Sequence, residues 1–253
     1  MLVGDSHGLR IAYKHVTHTG LRNMKMANST LQALTSIQPN LPVKPVYTLD
    51  EFASAIGRSK KTAYRYLLEL KRSGFVIASY RGRFSLRESA FLPASVIPQI
   101  LPLLLALKDA KSFRLRNGKT GVTKAMALLK EQGGFLTLDY AAFELTGYQT
   151  PETLYFYPDD FDRAVSLLKS NGYVESSRGK TILLPKTGDF SNPILRVFFD
   201  CLAVGGRGTL DAIAIARKYP DETKPSGYFH FLLDLASKVE QDTGVGYLAA
   251  NTR

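Results

Sequence analysis

The sequence predicts an α+β fold in two parts, and three observations carry that expectation. The first is a helix-forming stretch, Ser59 to Gly74, with an apolar stripe on one side and cations on the other. The second is its setting: a short capped helix lies before it, and two strand-like runs around a glycine-centred turn follow it. The third is an alternation of helical and strand patterns from residue 122 onward, which reads as a small mixed α/β domain.

Taken in order, residues 1–26 hold His7, His15, His18 and four cations with little periodicity, and read as a basic N-terminal arm. His15 and His18 have a spacing that a metal could use on a helix, but one nearby acid and no cysteine make a poor ligand set. Residues 27–38 fit a first helix, capped by Asn28 or Ser29, with Leu31, Leu34 and Ile37 inward. A proline-punctuated extended connector follows. Thr48 then caps the short helix LDEFASAIG, with Asp50 and Glu51 in the first turn, where the helix dipole favours acids. Phe52, Ala55 and Ile56 are its predicted core face and Gly57 its end.

Arg58 and Ser59 alone separate that helix from the next, a tight turn between two helices. Ser59 is the N-cap of the second helix and Gly74 its left-handed stop. Ala63, Tyr66, Leu67 and Leu70 form the apolar stripe, while Lys60, Lys61, Tyr64 and Arg65 fall opposite, near the amino end. FVIASY and FSLRE are predicted strands joined through Arg81-Gly82-Arg83. Two helices, a short junction and a basic hairpin together read as a winged helix-turn-helix over residues 27–90, with the second helix in a DNA major groove and the hairpin as wing.

Charge points the same way. Of the 253 residues, 33 are Lys or Arg and 22 are Asp or Glu, which gives +11. Residues 1–90 hold 14 Lys/Arg and 5 Asp/Glu, net +9, while residues 91–253 hold 19 and 17, net +2. A surplus confined to one domain marks a local polyanion-binding surface rather than a generally basic chain. Cys201 is the only cysteine, so an internal disulfide is impossible and a reducing cytoplasm is the expected location. The first thirty residues lack the apolar core of a signal peptide, and Val96–Leu107, broken by two prolines, is too short to span a bilayer.

Residues 91–121 are predicted to be a helical connector, FLPASVIPQILPLLLALKDA, followed by a polar loop, Phe113 to Gly121. The cations of that loop, Arg114, Arg116 and Lys119, suit either phosphate or water. Within the α/β domain of residues 122–253, helices are expected at Thr123–Gln132 and Leu138–Leu145, stopped by Gly133-Gly134 and Gly147. TPETLYFYP is a strand, and Asp159 or Asp160 starts the helix FDRAVSLLKSNG with Phe161, Val165 and Leu168 inward. YVES and TILLP are strands around a Ser-Arg-Gly-Lys turn. Asn192-Pro193 opens a helix through Val204, Thr209–Ala216 is another, and GYFHFLLDLASKVEQ closes the chain as an amphipathic helix.

Enzymatic chemistry finds no support among these residues. Gly205-Gly206-Arg207-Gly208 lacks the Lys-Ser/Thr pair and preceding strand of a phosphate loop, and suits a helix–helix turn with an arginine capping backbone. Asp159, Asp160 and Asp162 stand at a helix start, where capping explains them without metal. His230 lies among aromatics with no nucleophile beside it, there is no G-x-S-x-G, and Cys201 sits in an apolar run that suits an inert buried thiol. No catalytic residue, metal or cofactor is expected.

Gly147-Tyr148-Gln149-Thr150-Pro151, Leu154-Tyr155 and the stretch Phe199 to Gly208, behind an N-terminal winged helix, resemble AbiEi-type antitoxins, the DNA-binding halves of type IV toxin–antitoxin pairs. The likeness covers most of residues 45–220; the basic arm of residues 1–26 is not part of it. It implies a repressor of its own operon, whose C-terminal domain counters a nucleotidyltransferase toxin. The DNA contacts it implies are Lys60, Lys61, Thr62, Tyr64 and Arg65, to which the pattern itself adds Ser59, Arg81 and Arg83. The expectation is therefore a DNA-binding transcriptional regulator with duplex operator DNA and a cognate toxin as partners. Two alternatives stay open: a nucleic-acid-processing or nucleotidyl-transferring enzyme with its site in the C-terminal domain, and a plasmid replication or partition protein.

Overall fold

A computed structural model describes residues 33–34, 41, 46–92, 95–116, 121–188 and 190–223. The chain divides into two compact units at Pro98–Gln99. Both units combine helices with sheet, which is an α+β architecture.

The first unit builds a three-stranded antiparallel sheet in the order β1-β3-β2, from Tyr47–Thr48 (β1), Val76–Tyr80 (β2) and Arg83–Leu86 (β3). Between β1 and β2 run two helices, α1 (Leu49–Ala55) and α2 (Lys60–Arg72). Thr48 starts α1 with a reciprocal cap. Its Oγ1 accepts from the Glu51 N–H at 3.2 Å while its own N–H donates to Glu51 Oε2 at 2.8 Å. Ser59 caps α2 by accepting from the Thr62 N–H at 3.3 Å.

The aromatic core ties these pieces together. Phe84 of β3 stacks on Tyr47 of β1 at 5.8 Å between ring centroids and meets Phe52 of α1 edge-on at 5.4 Å. Ala63 and Leu70 are the buried positions of α2, and Tyr66 and Leu67 are half-buried beside them. After α2 the chain turns at Gly74, whose φ of 81° is the left-handed conformation expected there. Arg87 then donates from Nε to the Gly74 carbonyl at 2.8 Å, fastening the end of the hairpin to the end of the helix.

Some expectations for this region need correction. Helix α1 ends at Ala55 with Ile56 as its C-cap, so the junction is the four residues Ile56–Ser59 rather than two. The cause is Gly57, whose left-handed φ of 61° lies outside the helix. Ala53 is buried in place of Ala55, which is only half-buried. Arg83 belongs to β3, which leaves Arg81-Gly82 as the two-residue loop. The N-terminal arm and the first helix lie outside the described residues apart from Ala33 and Leu34, which are helical and buried. Residues 40 and 42–45 of the extended connector lie outside them too; Leu41 is buried, and Tyr47 at the connector's end pairs with Phe84 in β1.

In the second unit a five-stranded sheet runs β5-β6-β8-β4-β7, with only β6 and β8 parallel. Its strands are Lys111–Leu115 (β4), Gly134–Thr137 (β5), Leu154–Pro158 (β6), Tyr173–Glu175 (β7) and Thr181–Leu183 (β8). Helix α3 is Ile97–Ala106, followed by α4 (Val122–Glu131), α5 (Leu138–Thr146) and α6 (Phe161–Ser170). Then come α7 (Pro193–Val204), α8 (Arg207–Lys218) and the short α9 (Pro220–Thr223). The final amphipathic helix and His230 are outside the described residues.

The sheet overturns the predicted loop at residue 113. Lys111–Leu115 is a strand, second from one edge, with Phe113 completely buried. Only one of its residues, Phe113, is buried, and the cations Lys111 and Arg114 beside it make the stretch read as polar from sequence alone. Strands β7 and β8 flank β4 and do not pair with each other. The chain leaves β7 opposite Phe113 and enters β8 opposite the same residue, crossing the strand between. Gly179 permits that crossing, because a Cβ there would fall 2.4 Å from the Phe113 carbonyl oxygen. Strand β5, hidden in the predicted stop Gly133-Gly134, is the other addition, and α8 starts at Arg207 and runs to Lys218, past both ends of the expected Thr209–Ala216 helix.

A buried polar cluster crosses this core. Arg196 and Asp200, one turn apart on α7, pair with almost no exposure, and Asp200 Oδ2 also accepts from Thr137 Oγ1 at 2.6 Å and Tyr157 Oη at 3.3 Å. Burial pushes the Tyr157 phenol up to about 12, against the opposing pull of Arg196.

Replacing Phe84 with Ala removes the ring shared by β1, β3 and α1. The expected loss is about 3–5 kcal/mol, read by denaturant unfolding of the intact protein; a loss below about 1 kcal/mol, the range of a minor repacking, contradicts this core assignment.

Candidate nucleic-acid interface

The eight side chains singled out for DNA contact all lie in the basic first unit. Lys60, Lys61, Tyr64 and Arg65 are exposed, and at 100° per residue they occupy about 140° of the α2 circumference. Thr62 is half-buried, its Oγ1 within 3.2 Å of Ser59 Oγ. The side chain of Thr62 is thus committed to the cap.

Electrostatically, the start of α2 runs against the helix dipole, whereas Lys71 and Arg72 in its last turn suit it. Its first turn carries two lysines and no acid, whereas acids are what the positive end of a helix favours. Lys60 finds a counter-charge elsewhere: its Nζ is 2.8 Å from Asp50 Oδ1 of α1. From sequence Asp50 reads only as a first-turn acid of its own helix; the acid-free start of α2 is the signal for its partner. An Arg65–Glu69 pair one turn apart does not form. Glu69 takes Arg72 at 2.6 Å, and among the described residues Arg65 makes no ion pair.

Arg81 and Gly82 both have positive φ, 47° and 75°, the signature of a type I′ hairpin turn. Asn or Gly adopts that conformation at low cost, while another residue at the Arg81 position carries strain of about 1–3 kcal/mol. The guanidinium lies 4.9 Å from the centre of the Tyr80 ring. Arg83 faces Tyr80 across the hairpin and Thr48 on the other side. Of the five large hydrophobic side chains that stay exposed among the described residues, four belong to this unit: Val46, Tyr64, Ile77 and Tyr80. Cations interleaved with exposed aromatic rings suit a nucleic-acid surface.

The remaining sequence candidates have other roles. Asp160 caps α6 by accepting from the Arg163 N–H at 3.0 Å, Asp159 pairs with Lys186 at 2.6 Å, and Asp162 is exposed in the first turn. Arg114 and Arg116 are exposed on β4 and just beyond it, and Lys119 is outside the described residues, as are His7, His15 and His18. Cys201 is fully buried, and burial pushes its thiol well above the usual range, with Asp211 and Asp139 adding to the shift. Among the described residues no group of three or more His, Cys, Asp or Glu could hold a metal, and no helix is long and apolar enough to cross a membrane.

Segment 147–153 and the start of α8 meet in the second unit. Arg207 does not cap its own glycine turn; it donates to the Thr150 carbonyl and pairs with Glu152 at 3.2 Å. Gln149 Nε2 donates to Asp211 Oδ1 at 2.9 Å and to the Arg207 carbonyl at 3.2 Å. The segment 147–153 is thereby fastened to the start of α8. Searches of family models, curated proteins and solved structures find no match to this chain.

Burial, aided by the nearby Asp139, raises the Asp211 carboxyl to about 6 from its ordinary 3.8, against the pull of Gln149 and Arg207. The folded state therefore holds this proton where the unfolded chain has lost it, so stability falls as pH rises from about 4 to about 6 and then levels. Asp211→Asn should remove that decline. Melting temperatures of the two proteins across this window should diverge in favour of the variant as pH rises; parallel curves would contradict the assignment.

Proposed function

We propose that this protein is a DNA-binding transcriptional regulator whose first unit acts as a winged helix-turn-helix. In this reading α2 enters the major groove of duplex DNA and the β2–β3 hairpin is the wing. The observation that supports it best is the exposed face of Lys60, Lys61, Tyr64 and Arg65 on a helix whose first turn has no acid of its own. The strand and helix order of the unit, with β3 central in a three-stranded sheet, supports the same module. Arg81 adds a third support: an arginine held in a strained turn where Asn would be cheaper suggests that its charge is what the position requires.

Lysines at the groove neutralise phosphates and release counterions, giving affinity for any duplex. In this reading Arg65 reads a guanine edge through two parallel hydrogen bonds. Ser59 and Thr62, bound to each other, hold the helix start against the backbone rather than read bases. The resemblance to AbiEi-type antitoxins refines the proposal to an autorepressor paired with a nucleotidyltransferase toxin, which the second unit counters. Two of the stretches behind that resemblance bond to each other where segment 147–153 meets α8, and a neighbouring nucleotidyltransferase gene whose product co-purifies with this chain would support the refined reading.

Arg65→Ala should weaken binding to a preferred operator by about 1–3 kcal/mol and relax its sequence preference, measured by titration against operator and scrambled duplexes. Normal operator binding by this variant would remove α2 from the groove. Arg81→Asn should melt no lower than the parent, since it relieves turn strain, yet bind every duplex more weakly and with a shallower salt dependence. Unchanged binding by this variant would take the hairpin off the DNA.

A further inference from the structure

The ion pair between Asp50 and Lys60 carries a consequence for how the proposed DNA surface is regulated. The two side chains are 69% (Lys60) and 67% (Asp50) exposed, so the pair contributes little to folding. Two other acids of this unit have evident structural work: Glu51 closes the cap of α1, and Glu69 pairs with Arg72 within α2. Asp50 instead reaches from the first turn of α1 to the first residue of α2. There it supplies a negative charge at a cationic helix start that lacks one.

We infer that Asp50 is a built-in competitor for phosphate: its carboxylate occupies Lys60 in the free protein and is exchanged for a backbone phosphate when a duplex binds. The inference rests on the DNA-binding reading of α2 and adds to it an intramolecular restraint on sequence-independent affinity. An exposed pair is weak enough to open on binding, yet its negative charge stays close to the phosphates and opposes them. The restraint therefore acts on operator and non-operator duplexes alike, and salt screens it.

The test compares the intact protein with Asp50→Asn, Asp50→Glu, Lys60→Ala and the double variant Asp50→Asn/Lys60→Ala. Each is titrated with its upstream duplex and with a scrambled duplex of the same composition, at low and high salt, after melting curves confirm folding. Asp50→Asn should bind both duplexes about two- to fivefold more tightly at low salt, with a steeper salt dependence. Asp50→Glu should behave as the parent. In the Lys60→Ala background the gain from Asp50→Asn should vanish, because the residue it releases is gone. Unchanged affinity for Asp50→Asn overturns the inference while leaving DNA binding intact, and so does a gain that persists in full without Lys60. Failure of the parent protein to bind either duplex at low salt overturns the underlying reading itself.

Discussion

The first unit depends on one contact, the packing of Phe84 against Tyr47 and Phe52. These rings come from β3, β1 and α1, so a single aromatic cluster joins the sheet to the helix that precedes α2. Apolar burial of this kind is non-directional, yet ring geometry narrows the relative placement of the elements it joins. The rest follows from local chemistry. Thr48 and Ser59 set where the two helices begin, Gly57 and Gly74 set where the chain leaves them, and Arg87 closes the hairpin onto the helix end. The consequence is a helix whose apolar stripe is committed and whose opposite face is exposed among the described residues.

The amino end of that exposed face is electrostatically unfinished. Two lysines at the positive end of α2 carry a small penalty in isolation, and Asp50 offsets part of it from the neighbouring helix. The strained Arg81 turn is a second local cost in the same unit. Costs of this kind persist where a partner supplies the compensating interaction. In the proposed reading a polyanion would do so for both at once, and a net +9 over residues 1–90 would supply the long-range attraction.

Much of this was legible in the sequence because it is local. Thr48, Ser59, Gly74 and Gly147 announce helix ends by backbone chemistry that needs no tertiary context, and the α2 stripe follows from period. What was missed is what depends on distant partners. Lys111–Leu115 looks polar because its single buried ring, Phe113, is recognised as core only once β7 and β8 flank it. Gly133-Gly134 reads as a stop, yet Gly134 also opens a strand against β6. The Asp50–Lys60 pair and the Arg207–Thr150 contact join residues on different elements, and no spacing rule reports either one.

The central claim is that α2 and the β2–β3 hairpin present a cationic surface to duplex DNA. Its most direct test is a titration of the intact protein with the duplex that lies upstream of its own gene, at several salt concentrations. The account predicts saturable binding whose affinity falls steeply and linearly on a log–log plot against salt, with the upstream duplex preferred over a scrambled one. Indifference to both duplexes at low salt, or binding that salt does not weaken, would contradict it.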